Sequence, residues 1–137
     1  LLEILNIKNN ADFDEIRDNA LNGRKEKVNK LLSEFDLLNE DSFFYLNSLN
    51  YRILKLTEIQ KINGNSGNFE KALDSVKPQI FWKDKPLILE QLKKWNIERL
   101  NKAAYKINET EILMKKNSQT RNDIIIKNLL ISLSLGS

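Results

Sequence analysis

Residues 120–133, TRNDIIIKNLLISL, set Ile124, Ile125, Ile126, Leu129, Leu130, Ile131 and Leu133 against a narrow polar edge of Lys127, Asn128 and Ser132. A segment apolar on nearly every face cannot sit at ease on a surface. It is expected to form a buried helix around which the other elements pack. Thr120 and Asp123 have capping-box spacing, in which the threonine oxygen takes an orphan amide and the carboxylate answers the amide of the capping residue. That start signal favours helix over the strand that β-branched isoleucines alone would suggest. With about twelve apolar-rich positions the segment is too short to span a bilayer, which takes about twenty.

The 137 residues are enough for one domain with a core of its own. The chain has no cysteine and no histidine. Thiolate nucleophiles, disulfides, ordinary zinc sites and the usual general base near neutral pH are therefore excluded. No acid, base and nucleophile set can be assembled, so no catalytic residue, metal site or cofactor is expected. Four glycines and two prolines among long runs of helical spacing argue for an all-α domain. Leu1 to Asn10 lacks the basic start and small-residue cleavage site of a signal peptide, and reads as a linker or the remnant of a preceding domain; 11–137 reads as the helical domain. The net charge of +3 is too mild to announce a nucleic-acid binder. Residues 1–68 carry nine basic and eleven acidic side chains and residues 69–137 thirteen and eight, so the halves stand at −2 and +5.

Along the chain, Asp12 and Glu15 begin a first short helix through Phe13, Ile16, Ala20 and Leu21, which Gly23 stops. A second, with Val28, Leu31 and Leu32 on one side, folds back over residues 24–34. After a connection, Asp41 or Ser42 caps a long helix whose Phe43, Leu46, Leu49, Ile53, Leu56 and Ile59 step by three and four as far as about Ile62. Asn63 to Asn68 is a glycine–asparagine loop, and Asn68 caps a two-turn helix through Val76. Lys77-Pro78 breaks that helix, and Ile80, Phe81 and Trp82 follow in a short extended piece. Such a cluster is expected to plug the end of a bundle, with an exposed partner site as the alternative. Asp84, with Pro86 in the first turn, opens a helix using Leu87, Ile88, Leu89, Leu92 and Trp95, and Asn96 opens another through Leu100, Ala103, Ala104, Ile107 and Met114 to about Lys116. The expected architecture is an all-α, compact bundle of about seven helices.

That order resembles the C-terminal domain of the delta subunit of the bacterial DNA polymerase III clamp loader over residues 11–134. The resemblance is carried by Phe13, Ala20, Gly23, Leu31 and Leu32, by Pro78, Phe81, Trp82, Lys83, Leu92 and Trp95, and by Leu100, Ala104, Glu111, Lys115, Leu129 and Leu130. These are packing and turn signatures, none of them catalytic. The resemblance implies a helical collar domain that joins gamma or tau and delta-prime subunits in a ring. The sliding clamp would be opened through an N-terminal module outside this sequence, and primed DNA met only in the full assembly. A bacterial cytoplasmic location at the nucleoid follows from it. No phosphate-cradling G-x-x-x-x-G-K-[ST] run is present.

Phe43, Phe44 and Tyr45 open the long helix together and cannot all point inward. Phe44 or Tyr45 is expected on the surface, and with Tyr51, Tyr105 and Glu111 gives the candidate interface. Glu111 and Lys115, four apart with the glutamate first, suit a surface ion pair. Lys115, Lys116 and Arg121 flank the turn 117–119 and would gather positive charge at one end of the bundle. They are the candidate DNA-proximal residues beside the plainer role of cations at a helix C-terminus. Some members of the family place an aromatic in that turn, whereas Ser118 and its neighbours cannot stack on a base. Lys93, Lys94 and Lys102 read as solvated faces. A nucleic-acid-binding helical module and a helical adaptor unrelated to replication are the competing functional readings.

Overall fold

The computed structural model describes residues 2–64, 68–116 and 121–136, with side chains in the first helix from Asp12 onward. They form seven helices: α1 (Leu2–Leu21), α2 (Lys25–Glu34), α3 (Ser42–Asn63), α4 (Phe69–Ser75), α5 (Lys85–Lys94), α6 (Ile97–Lys116) and α7 (Asn122–Ser134). A single 3-10 turn, Asn39–Asp41, leads into α3, and no strand occurs among the described residues. The expected all-α bundle is the fold observed.

The centre of the bundle differs from the sequence expectation. α3 touches α1, the 3-10 turn, α4, α5, α6 and α7, whereas α7 touches α1, α2, α3 and α6. Length together with burial from end to end sets α3 apart, since α6, at 20 residues, has its main contacts with α3 and α7 alone. The 22 residues of α3 make a rod of about 33 Å at 1.5 Å per residue, and the 13 of α7 only about 20 Å. On α3, Tyr45, Leu46, Leu49, Ile53, Leu56 and Ile59 are all buried. On α7, Ile126, Leu129, Leu130 and Leu133 are buried, but Ile124 is 46% exposed and Ile125 and Ile131 only half-buried. The apolar terminal helix is thus one wall of the core rather than its axis.

α1 shows a second difference. The helix runs through Asp12 without a break, so the residues read as a linker extend it by about three turns. Nothing in LEILNIKNNA stops a helix, because it holds neither glycine nor proline. The stop comes where the sequence puts it, at Gly23 with φ +72. The Gly23 amide donates to the Ala20 carbonyl and the Arg24 amide to that of Asn19, the paired bonds of a Schellman end.

Several helix ends are completed by residues from other helices. The Lys94 ammonium meets the Asn22 carbonyl and the Trp95 indole Nε1 donates to that of Leu21, at 2.7 Å, closing α1. Gln60 of α3 donates to the carbonyls of Leu92 and Trp95, closing α5. Thr120 of the expected capping box lies outside the described residues. The amides of Asn122 and Asp123 donate instead to Asn39 Oδ1 at 2.7 and 3.3 Å, so the 3-10 turn caps α7 from across the fold.

The other expected caps divide. Asn68 and Asn96 accept the amides of Lys71 and Arg99 as anticipated. Asp41 and Asp84 make no such bond. Ser42 is fully buried with its hydroxyl unpartnered, and the 3-10 turn supplies the start of α3 in place of a side chain. Of the glycine–asparagine loop, residues 65–67 lie outside the described residues; Gly64, at φ +56, ends α3.

Candidate assembly surface

α3 is apolar on two opposite sides. Its inner side fills the core, and on the other Phe43, Phe44, Tyr51, Leu54 and Ile62 are exposed. At 100° per residue these five side chains fall within about a third of the helix circumference. They run from the first turn of α3 to the last, about 28 Å at 1.5 Å per residue. Isolated exposed apolar residues are ordinary, but a contiguous stripe is the mark of a contact surface.

Of the expected interface residues, Phe44 and Tyr51 belong to this stripe, at 47% and 56% exposure. Tyr45 does not. It is 1% exposed, its ring stacks on Phe13 with centroids 4.5 Å apart, and its hydroxyl accepts from the Leu38 amide at 3.2 Å. Burial raises its phenol above the usual value; the Leu38 bond opposes this, and Asp41 and Glu40 add to it. Tyr45 faces inward because it is a quarter-turn past Phe44, in register with Leu49 and Leu56. Tyr105 is 65% exposed on α6, on the same side of that helix as Ile112, seven residues on. Glu111 pairs with Lys115 at 2.9 Å on the surface of α6, an arrangement worth a few tenths of a kcal/mol, ~0.3–0.5.

The cations read as DNA-proximal are differently engaged. Lys115 is held by Glu111. Arg121 makes two bonds to Asp123, Nη2 to Oδ2 at 2.6 Å and Nε to Oδ1 at 3.3 Å. Burial works to raise the Asp123 carboxyl, but the Arg121 bond and charge, with the Ile124 amide and its own, hold it below the usual carboxylate range. Lys116 alone of the three has no partner among the described residues, and the turn 117–120 lies outside them. Lys94 is spent on a helix end, and Lys102 faces Glu98 at 3.5 Å.

The cluster expected to plug the bundle does the opposite. Phe81 and Trp82 stand in solvent with rings 5.9 Å apart, and only Ile80 packs on the core. The turn that brings the chain into α5, with the Asp84 amide on the Phe81 carbonyl and the Lys85 amide on that of Trp82, carries both rings outward. Beside them, residues of α3, of 78–81 and of α5 line a groove of about 180 Å3.

Behind that groove lies a polar cluster that the sequence did not announce. Asp18 Oδ1 accepts from Arg17 Nε (3.1 Å), Arg52 Nη1 (2.9 Å) and Gln91 Nε2 (3.1 Å), while Oδ2 accepts from Arg17 Nη2 at 3.1 Å. Arg17 Nη1 goes on to Asp14 and Ser48, and Arg52 Nη1 also to Gln91 Oε1. The cluster bolts α1, α3 and α5 together in a nearly dry setting. Burial, and then the Arg17 charge, lower the Arg52 guanidinium from its usual value, with Asp18, Asp84 and Asp14 acting against them. Read linearly, Arg17-Asp18 looks like ordinary surface charge. The α3 stripe was legible, because Phe44, Tyr51, Leu54 and Ile62 share one side of a helical wheel.

Among the described residues no group of His, Cys, Asp or Glu side chains could hold a metal, and no helix is long and apolar enough to cross a membrane. The chain matches no protein-family model, no curated protein and no solved structure.

Proposed function

We propose that the chain is a non-catalytic oligomerisation domain, the C-terminal collar domain of a clamp-loader delta subunit of DNA polymerase III. It would join gamma or tau and delta-prime subunits in the ring that places the sliding clamp on primed DNA. The observation that carries the reading is the outward apolar stripe of α3, a surface about 28 Å long that a monomer has no use for. The order of elements between Phe13 and Leu130, on which the resemblance rests, adds support. The apolar character of the stripe also favours a protein neighbour over nucleic acid, whose sites are dominated by cations aimed at phosphate.

The test is reconstitution. The chain mixed with gamma or tau and delta-prime subunits is expected to elute as one complex. Phe44→Ser with Leu54→Ser is expected to abolish the complex while leaving the thermal transition of the chain within about 4 °C, since two surface changes together cost about 1 kcal/mol. No complex with the unaltered chain, or a complex indifferent to the double substitution, would sink the reading.

A further inference from the structure

Two cations converge on the groove between α3, residues 78–81 and α5, and neither is a normal surface cation. Lys55 is 9% exposed; its ammonium donates to the Lys77 carbonyl at 3.2 Å, lies 3.5 Å from Glu58 and sits 5.7 Å from the centre of the Tyr51 ring. Arg52 is anchored through Nη1 alone, to Asp18 and Gln91, leaving its Nε and Nη2 without partners among the described residues. Both line the groove, and its walls are Tyr51, Pro78, Ile80, Phe81 and Ile88.

We infer that this groove is a docking site for an acidic–apolar segment of a protein partner, one carboxylate meeting Arg52 and Lys55 while the neighbouring apolar side chain packs between Tyr51 and Phe81. Charge complementarity carries the choice. A pre-anchored guanidinium with open donors is suited to a carboxylate, and the bond is strongest where water is scarce. Size argues against a free small molecule: about 180 Å3 holds two side chains, below the ~300–1,000 Å3 of ordinary ligand pockets. A phosphate backbone fits worse, because Arg52 and Lys55 are nearly buried and flanked by apolar residues, out of reach of a row of phosphates. Tyr51 belongs both to the groove and to the α3 stripe, so the site continues the proposed assembly surface and rests on that reading.

Fluorescence anisotropy of the purified chain tests it with a labelled peptide of repeated Glu-Phe-Asp-Leu, its Gln-Phe-Asn-Leu counterpart and labelled oligothymidylate. The acidic peptide is expected to bind, and to lose about tenfold in affinity when its carboxylates become amides. Phe81→Ala, an exposed position, is expected to weaken it several-fold, and Asp84→Asn to tighten it. Lys55→Met should abolish the preference for the acidic peptide over the amide one. Should that variant fail to fold, the two surface substitutions still decide. Equal binding of both peptides, indifference to Phe81→Ala and Asp84→Asn, or tighter binding of oligothymidylate would overturn the assignment. Peptide binding is read on the chain alone and ring assembly on the reconstituted mixture, so the two proposals fail separately.

Discussion

Asp18→Asn probes the ionic joint between α1, α3 and α5. The substitution conserves volume but removes the one mostly buried negative charge facing Arg17 and Arg52, since Asp14, the other acid in the cluster, is half exposed. It also puts an amide NH2 where one carboxylate oxygen stood. If that is the Oδ2 position, a donor then faces the Arg17 Nη2 donor. Breaking a buried pair from one side costs about 3–5 kcal/mol, because the partner charge stays behind uncompensated. With an unfolding entropy of about 2.1 cal/mol/K per residue over 137 residues, that is a fall of roughly 10–17 °C in Tm. Circular dichroism melts and urea titrations on the same protein give the number. Replacing the cluster whole, as Arg17→Met, Asp18→Leu, Arg52→Met and Gln91→Leu together, is expected to cost less than Asp18→Asn alone, because the one charge left, on Asp14, is half exposed and no buried polar group loses its partners. A Tm within about 3 °C of the parent for Asp18→Asn would show the cluster to be hydrated and energetically idle.

Asn39→Ala removes the acceptor for the first two amides of α7 and should cost about 1 kcal/mol, read as a lower urea midpoint with unchanged m. Gly23→Ala forces a side chain to φ +72; the added Cβ meets the flexible Lys94 Nζ at 3.4 Å and the Ser134 carbonyl at an ordinary 3.8 Å, so backbone strain of about 1–2 kcal/mol dominates and Lys94→Ala would not relieve it. The Asp123 carboxyl sits below its ordinary value of 3.8, so its pairing stabilises the fold above that pH and is lost as pH falls through the folded-state value. Arg121→Ala is accordingly expected to lower stability at neutral pH and to flatten the acid limb of a Tm-against-pH curve.

What could be read in advance divides along a physical line. Local signals were legible: the Gly23 stop, the Asn68 and Asn96 caps, and the inner register of α3 from Leu46 to Ile59 are fixed by backbone chemistry within a turn or two, whereas Phe43, expected on that register, is exposed on the outer stripe. Features requiring partners distant in sequence were not. The capping of α7 joins Asn39 to Asn122, and the ionic cluster joins Asp18 to Gln91, so neither leaves a short-range trace. The choice of α7 as the axis failed because hydrophobicity measures how much a helix gains from burial, while centrality depends on where the connections place a helix among its neighbours. Phe81 and Trp82 were misplaced for a related reason: apolarity argues for burial, but a tight entry into α5 dictated where the rings could go. The exposure of Phe44, Tyr51 and Tyr105 was foreseen, Tyr45 was expected outside and lies inside, and Leu54 and Ile62 were available from the wheel but passed over.

The borrowed helix ends have a consequence for how the chain comes apart. α1 is closed by Lys94 and Trp95, α5 by Gln60 and α7 by Asn39, so no helix in this circuit is finished until a stretch far along the chain has arrived. Such a molecule has few half-built states worth occupying. A piece holding only α1 to α3 would expose bare carbonyls at Leu21 and Asn22, and disruption at any one joint should propagate to the rest as a single cooperative melt.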